Sequence, residues 1–112
     1  MTDIEGDIEV RTVAFDGSQF IIKSKRWLHI MDRHPELQTM LEAIKAAVSA
    51  PDEVYLDPRG SVHLIKRLYN AQSDFLAVIV REKDSETHLI TSYLLGSKRK
   101  TRGYRRFKKL HY

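Results

Sequence analysis

Hydrophobic and polar positions change their spacing twice along the chain, and the first spacing is that of strands. Residues 8–15 alternate imperfectly, and the apolar run Phe20-Ile21-Ile22 follows after Asp16-Gly17. An Asp-Gly pair between two such segments favours a hairpin, because glycine adopts a positive φ without a Cβ clash. The pattern predicts a short N-terminal β-hairpin.

The spacing then becomes helical. Large side chains recur at i, i+3, i+4 and i+7, namely Trp27, Ile30, Met31 and His34. This predicts a helix over about 25–33 with Ser24 as its N-cap. Pro35 disfavours helical geometry at the preceding residue but suits the first turn of a new helix, so a second helix is predicted over about 36–49. Its apolar stripe consists of Leu37, Met40, Leu41, Ile44 and Val48.

From residue 53 onward, β-branched and aromatic residues alternate with short polar loops. Strands are predicted over 53–57, 62–69, 75–81 and 87–95, and consecutive strands with short connections pair antiparallel. The expected fold is α+β: an N-terminal hairpin, two α-helices packed on a four-stranded antiparallel β-sheet, and a basic C-terminal tail. The expected division is a domain over 1–96 and a basic extension over 97–112. One sheet face would be free to bind a ligand.

Charge is unevenly distributed over the 112 residues. Residues 1–58 carry six Lys or Arg and eleven Asp or Glu, whereas 59–112 carry thirteen and four, so the halves are −5 and +9 within a total of +4. The last sixteen residues hold eight Lys or Arg and no acid, interleaved with aromatic rings. Such a segment neutralises phosphates and stacks on bases, which points to RNA as a partner. Alternatively it is a solvated tail, or pairs with the acidic half.

The composition and the absence of certain motifs exclude several classes of protein. There is no cysteine, the acidic N-terminus is unlike a signal peptide, and no apolar run approaches the length of a membrane span, so a cytoplasmic protein without membrane attachment is expected. Gly-rich phosphate loops and His-Glu-x-x-His pairs are missing. His29 and His34 are five residues apart, on different sides of a helix, so neither a metal nor another cofactor is predicted.

Three segments carry a resemblance to a known group of enzymes. They are the run from Trp27 to Glu36, which contains His29-Ile30 and Arg33-His34-Pro35-Glu36, the segment Pro51-Asp52-Glu53-Val54-Tyr55, and Thr91-x-Tyr93 before a Lys/Arg cluster. In this order, over residues 24–102, the chain resembles the phage-type branch of the barnase–EndoU–colicin–RelE superfamily of small metal-independent RNases. That resemblance implies helices followed by a four-stranded antiparallel sheet, and cleavage of RNA through its 2′-hydroxyl.

The resemblance also implies roles for individual residues. Its catalytic positions fall on His29, Lys66, Arg81, Thr91 and Tyr93. His34 is better explained by packing or capping, whereas Arg33 either clamps a phosphate or pairs with a neighbouring acid. The RNA-binding set comprises Arg33, Lys98, Arg99, Lys100, Arg102, Arg105 and Arg106.

Strand parity adds a geometric expectation. A connection of even length near 70–74 would place Lys66 and Arg81 on one sheet face, with His63 and Arg67 as alternatives to Lys66 on the other. Arg81 shares a face with Thr91 only if an odd loop or a β-bulge intervenes.

Three functions therefore stay open. The first is a metal-independent, toxin-like or RNA-processing ribonuclease. The second is a non-catalytic RNA-binding module. The third is a protein-interaction domain that docks an acidic partner, such as an inhibitor or antitoxin.

Overall fold

A mixed sheet with helices on both faces forms the framework of the protein. The computed structural model describes residues 8–69 and 73–110. The acidic start of the chain, the tip of the loop predicted at 70–74 and the last two residues of the basic segment lie outside this part. Its elements are β1 (Ile8–Val13), β2 (Gln19–Lys23), α1 (Ser24–Arg33), a 3-10 helix (Pro35–Thr39), α2 (Leu41–Ser49), β3 (Glu53–Leu56), β4 (Val62–Arg67), β5 (Phe75–Lys83), β6 (Glu86–Leu95), α3 (Ser97–Tyr104) and β7 (Lys108–Leu110).

The sheet is larger than predicted. Its strand order is β1-β2-β6-β5-β4-β3-β7, so the described chain forms seven strands, and the prediction of a four-stranded sheet is wrong. The predicted hairpin is confirmed, but β2 continues the sheet by pairing parallel with β6. The prediction that all strands pair antiparallel is therefore also wrong. The reason is that the long strand β6 would otherwise present an open edge, which the hairpin covers.

The first two helical segments follow the predicted apolar stripe with two changes. Lys23, in extended conformation, holds the N-cap position and Ser24 is the first helical residue. The second segment starts as a 3-10 helix, and the α-helix begins only at Leu41. Leu37 and Met40 are both buried. Because side chains at i and i+3 align in a 3-10 helix, this geometry points both of them into the core.

The two sheet faces carry separate hydrophobic clusters. Phe20, Ile22, Leu76 and Val78 pack with Ile44 under α1 and α2. On the opposite face, Ile65, Phe75, Ala77 and Ile79 pack with Tyr104 of α3. The prediction that this second face lies free is therefore corrected. Residues 75–80 of β5 are all buried, because helices cover both sides of that strand.

The basic C-terminal segment packs onto the fold where a tail was predicted. Asp74 Oδ2 accepts hydrogen bonds from the backbone N–H and the hydroxyl of Ser97, at 3.0 and 2.8 Å. Lys100 Nζ lies 2.6 Å from Glu53 Oε1, and β7 pairs antiparallel with β3. The segment packs against the sheet because its few apolar side chains and some of its cations contact residues that are distant in sequence. In the part of the chain that the structure describes, no helix has the length and apolarity needed to cross a membrane.

Candidate functional site

A β-bulge sets which side chains of β6 share a face with β5. Ile79 lies opposite Thr91, whereas the next residue, Val80, lies opposite Leu89, so Ile90 is the extra residue. The bulge brings Arg81 onto the face that carries Thr91 and Tyr93. The sequence predicted that Arg81 and Thr91 would share a face only with an odd loop or a β-bulge, and the structure contains the β-bulge.

Lys66 lies on the other face. Lys66 pairs with Leu76 and Arg67 with Phe75, so an odd number of residues, 68–74, connects the two paired positions. The prediction that Lys66 and Arg81 share a face is therefore wrong, because the connection is odd where an even loop was assumed. Lys66 Nζ donates to the backbone carbonyl of Ala50 at 2.7 Å. The alternative residue His63 occupies the face of Arg81.

Four polar side chains form a continuous hydrogen-bonded relay on that face. His63 Nε2 lies 2.9 Å from Asp57 Oδ2, and His63 Nδ1 lies 2.8 Å from the hydroxyl of Tyr104. The hydroxyl of Tyr104 lies 2.8 Å from that of Tyr93. The relay, Asp57–His63–Tyr104–Tyr93, joins the β3–β4 turn, β4, α3 and β6.

The ionisation state of Asp57 determines which atom donates in each hydrogen bond of the relay. Desolvation raises the pKa of Asp57, but hydrogen bonds from His63 and from the backbone N–H groups of Ser61 and Arg59 outweigh it, so the pKa lies below its ordinary value. An ionised carboxylate only accepts hydrogen bonds, so His63 Nε2 donates to Asp57. With neutral His63, Nδ1 then accepts from the hydroxyl of Tyr104.

The same argument identifies the donor in the hydrogen bond between Tyr104 and Tyr93. Because the Tyr104 proton points to His63, the Tyr104 oxygen is free to accept, and Tyr93 donates to it. Burial, followed by the hydrogen bond with Tyr93, raises the pKa of Tyr104, so that phenol stays protonated. The lone pairs of the Tyr93 hydroxyl oxygen therefore remain available to accept a hydrogen bond from another group.

Tyr93 faces an open cleft of about 720 Å³ between the end of α1, β6 and α3. Its polar rim consists of His34, Glu36, Arg99 and Arg102. His34 Nδ1 lies 3.4 Å from Glu36 Oε1, and the His34 and Tyr93 rings are 6.5 Å apart between centroids. We call this space the tyrosine cleft. It combines a relay-linked hydroxyl, an imidazole and two guanidinium groups.

The predicted site residues are only partly brought together. Tyr93 lines the tyrosine cleft with Arg99 and Arg102. His29 lies in a second cleft beside α1. The guanidinium of Arg81 donates to Ser61 Oγ at 2.7 Å, so it supports the β3–β4 turn. Thr91 is half-buried between the two clefts, on the strand that both share.

The other predicted RNA-binding cations divide into two groups. Lys100 pairs with Glu53 and stands over the rings of Tyr55 and Phe75, which gives it a structural role. The rest are exposed and do not line the tyrosine cleft, namely Arg33, Lys98, Arg105 and Arg106.

Sequence reasoning missed two of the four relay residues, Asp57 and Tyr104. Asp57 was predicted as the last residue of a short strand, whereas β3 ends at Leu56, and Tyr104 was predicted as part of a tail. His63 was considered only as an alternative to Lys66 on the opposite face of the sheet. His34 was assigned to packing, although it ends α1 at the rim of the cleft. Tyr93 and His63 could be singled out from the sequence, whereas Asp57 and Tyr104 join the relay through long-range contacts.

Among residues 8–69 and 73–110, no group of three or more His, Asp or Glu is placed to hold a metal ion. The assignment to the barnase–EndoU–colicin–RelE superfamily stays a prediction from the residues quoted above. No protein-family model matches the chain, and neither a curated protein nor a solved structure matches it.

Proposed function

We propose that the protein is an endoribonuclease that cleaves RNA by attack of the 2′-hydroxyl on the adjacent phosphorus, with the tyrosine cleft as its active site. The observation that carries this proposal is the relay Asp57–His63–Tyr104–Tyr93, which ends in a cleft with two arginines. A hydroxyl backed by a His–Asp pair follows the logic of activated oxygen groups in hydrolases.

Tyr93 is the general base in this proposal. As the 2′-oxygen attacks phosphorus, its proton passes to the Tyr93 oxygen, while the Tyr93 proton moves to Tyr104 and the Tyr104 proton moves to His63 Nδ1. His63 becomes an imidazolium beside the carboxylate of Asp57. The charge that forms is thus held by a carboxylate that is already ionised and hydrogen-bonded.

His34 is the general acid. The bond from phosphorus to the 5′-oxygen breaks as the new bond to the 2′-oxygen forms, and the leaving oxygen takes a proton. An imidazole is suited to this step near neutral pH. Glu36 Oε1 lies 3.4 Å from Nδ1, which leaves Nε2 to donate to the leaving oxygen. The products are a 2′,3′-cyclic phosphate and a 5′-hydroxyl.

Arg99 and Arg102 stabilise the charge that develops on the phosphorane. A guanidinium keeps its charge and presents several donors to phosphate oxygens in a fixed plane. Successive turns of α3 position both residues at the rim of the cleft. Donors held in place before the reaction stabilise a transition state more effectively than mobile ones.

The test is cleavage of mixed RNA by the purified protein in EDTA, with analysis of the new ends. We expect 2′,3′-cyclic phosphate ends from the unaltered protein and a loss of at least about a hundredfold in rate for Tyr93→Phe. Tyr69→Phe is the matched control, because Tyr69 is 92% exposed and does not line the tyrosine cleft. Full activity of Tyr93→Phe would refute the assignment of the base.

A non-catalytic RNA-binding module is the second candidate. It is favoured by the exposed cations that do not line the cleft, Arg33, Lys98, Arg105 and Arg106. An acidic inhibitor or antitoxin would dock on the same cations. RNA affinity that falls steeply with salt, without turnover, would favour the binding module, whereas a tight acidic protein partner without RNA affinity would favour the docking domain. A cytoplasmic location stays a prediction from composition.

A further inference from the structure

A second open cleft lies next to the tyrosine cleft, where β2 ends and α1 begins. It measures about 810 Å³ and is closed on its far side by the β5–β6 hairpin. We call it the basic cleft, because its lining brings together basic side chains from β2, α1, β5 and β6. They are Lys23, Lys25, Arg26, His29, Lys83 and His88.

Two acids also line the basic cleft, and one of them is balanced locally. Glu86 Oε1 lies 3.5 Å from His88 Nε2, and Glu86 Oε2 lies 3.9 Å from Arg11 Nη1. The other acid, Asp84, is exposed in the hairpin turn. Four Lys or Arg side chains thus face two carboxylates, one of which is paired with a cation from β1. The lining keeps an excess of positive charge.

Strand β6 connects the two clefts. His88, Leu89 and Ile90 line the basic cleft, and Tyr93, Leu94 and Leu95 line the tyrosine cleft. An extended strand advances about 3.3 Å per residue, so the five steps from His88 to Tyr93 span roughly 16 Å. A polyanion with regularly spaced charges reaches from one cleft to the other over this distance, whereas a single phosphate does not.

We propose that the basic cleft binds backbone phosphates of single-stranded RNA whose scissile bond lies in the tyrosine cleft. This inference rests on the proposed function. A single strand fits better than a duplex, because its nucleotides can be splayed over a curved protein surface and its backbone can adopt the in-line geometry that 2′-hydroxyl attack needs. It also gives His29 a phosphate-binding role, apart from the proton transfers at Tyr93.

Binding of non-cleavable RNA tests the basic cleft separately from catalysis. The probes are a 2′-O-methyl octanucleotide and a 2′-O-methyl dinucleotide, each with a fluorescent label and measured by anisotropy at several salt concentrations. The variant is Lys23→Glu with Arg26→Glu. The control, Lys45→Glu with Arg59→Glu, changes net charge equally on α2 and in the β3–β4 turn, and neither residue lines the two clefts.

The basic-cleft variant should bind the octanucleotide at least about tenfold more weakly, and its salt slope should fall by about 1.4, since each lost single-strand contact contributes about 0.7. Dinucleotide affinity and the kcat on a cleavable dinucleoside monophosphate should stay unchanged. An equal loss in the control variant, or no loss in the cleft variant, would overturn the proposal. Equal dependence for duplex RNA of the same length would overturn the single-strand assignment.

The outcomes separate this inference from the proposed function. Octanucleotide binding that depends on Lys23 and Arg26, without cleavage of ordinary RNA, supports the phosphate subsite and refutes the nuclease. Cleavage of ordinary RNA, with octanucleotide binding indifferent to both substitutions, supports the nuclease and refutes the subsite.

Discussion

The hydroxyl of Tyr93 lies 2.8 Å from the hydroxyl of Tyr104, which joins an open position on β6 to a buried side chain of α3. Tyr104 also contacts the His63 imidazole through its hydroxyl and packs at a right angle to the Phe107 ring. The side chain that supports the proposed base is therefore also one of those that hold α3 on the sheet. Catalysis and the docking of the C-terminal segment depend on the same group.

Tyr104→Phe should separate the hydroxyl from the ring. Phenylalanine retains the packing but leaves His63 Nδ1 and the Tyr93 hydroxyl without their partner, so the free energy of unfolding should fall by about 1–3 kcal/mol. RNA cleavage should fall by at least about a hundredfold, because the proton of Tyr93 has no onward path. Denaturant unfolding and initial rates on RNA measure the two effects.

The matched control for this change is Tyr55→Phe. Tyr55 belongs to the same cluster, with its ring 5.0 Å from that of Tyr104, but its hydroxyl donates to Glu53 and takes no part in the relay. We expect Tyr55→Phe to lower stability while cleavage is retained. Equal rates for the two variants would show that the relay does not serve catalysis.

Acid should weaken the fold through Asp57. Its pKa is lowered in the folded protein, so its contribution to stability is present above the unfolded value of about 3.9 and is lost as the pH falls through the folded pKa. The free energy of unfolding should therefore decline below about pH 4 more steeply in the unaltered protein than in Asp57→Asn. Urea titrations at a series of pH values measure this slope. Parallel pH profiles would contradict the assignment.

The local elements could be predicted from the sequence, but their long-range arrangement could not. Asp16-Gly17 and the spacing of Trp27 and Ile30 act within one hairpin or one helix, and both predictions are confirmed. The parallel pairing of β2 with β6 depends on residues 67 positions apart, such as Ile21 and His88. No local pattern reports that contact.

The candidate site was harder to predict for the same physical reason. The bulge at Ile90 inverts the face of the residues that follow it, and an apolar alternating strand shows no sign of a single inserted residue. Residues 97–104 were predicted as part of a basic, RNA-binding tail, whereas they form α3, in which Tyr104 is buried. Its docking partners are Glu53, His63 and Asp74, which are strand and loop residues far away in sequence.

Glu53 should hold the C-terminal segment in place. Its Oε1 accepts from Lys100 at 2.6 Å and lies 3.7 Å from Lys109 Nζ, with the Glu53 and Lys100 side chains only 18% and 17% exposed. Desolvation raises the pKa of Glu53, but the hydrogen bonds from Lys100 and Tyr55 outweigh it and lower that pKa overall. Glu53→Gln should reduce the free energy of unfolding by about 2 kcal/mol, because a half-buried ammonium loses its counter-charge.

Glu42→Gln provides the comparison for Glu53→Gln. Glu42 pairs with Lys45 at 3.3 Å on α2, but its side chain is 87% exposed. Water screens such a pair, so its loss should change stability by less than about 0.5 kcal/mol. Equal effects in the two variants, measured by denaturant unfolding, would show that the Glu53 cluster does not anchor α3 and β7.

The β5–β6 hairpin should be stabilised by Ser85→Gly. Asp84 and Ser85 form a two-residue turn with φ values of 54° and 65°, a conformation in which a side chain costs about 1–2 kcal/mol. Glycine removes that cost but loses about 0.5–1 kcal/mol in backbone entropy, so a net gain of about 0.5–1 kcal/mol is expected in denaturant unfolding. Ser85→Ala keeps the Cβ and removes only the hydroxyl, so it should give no gain. A matching gain from alanine would mean that the hydroxyl, and not the left-handed backbone, limits stability at this turn.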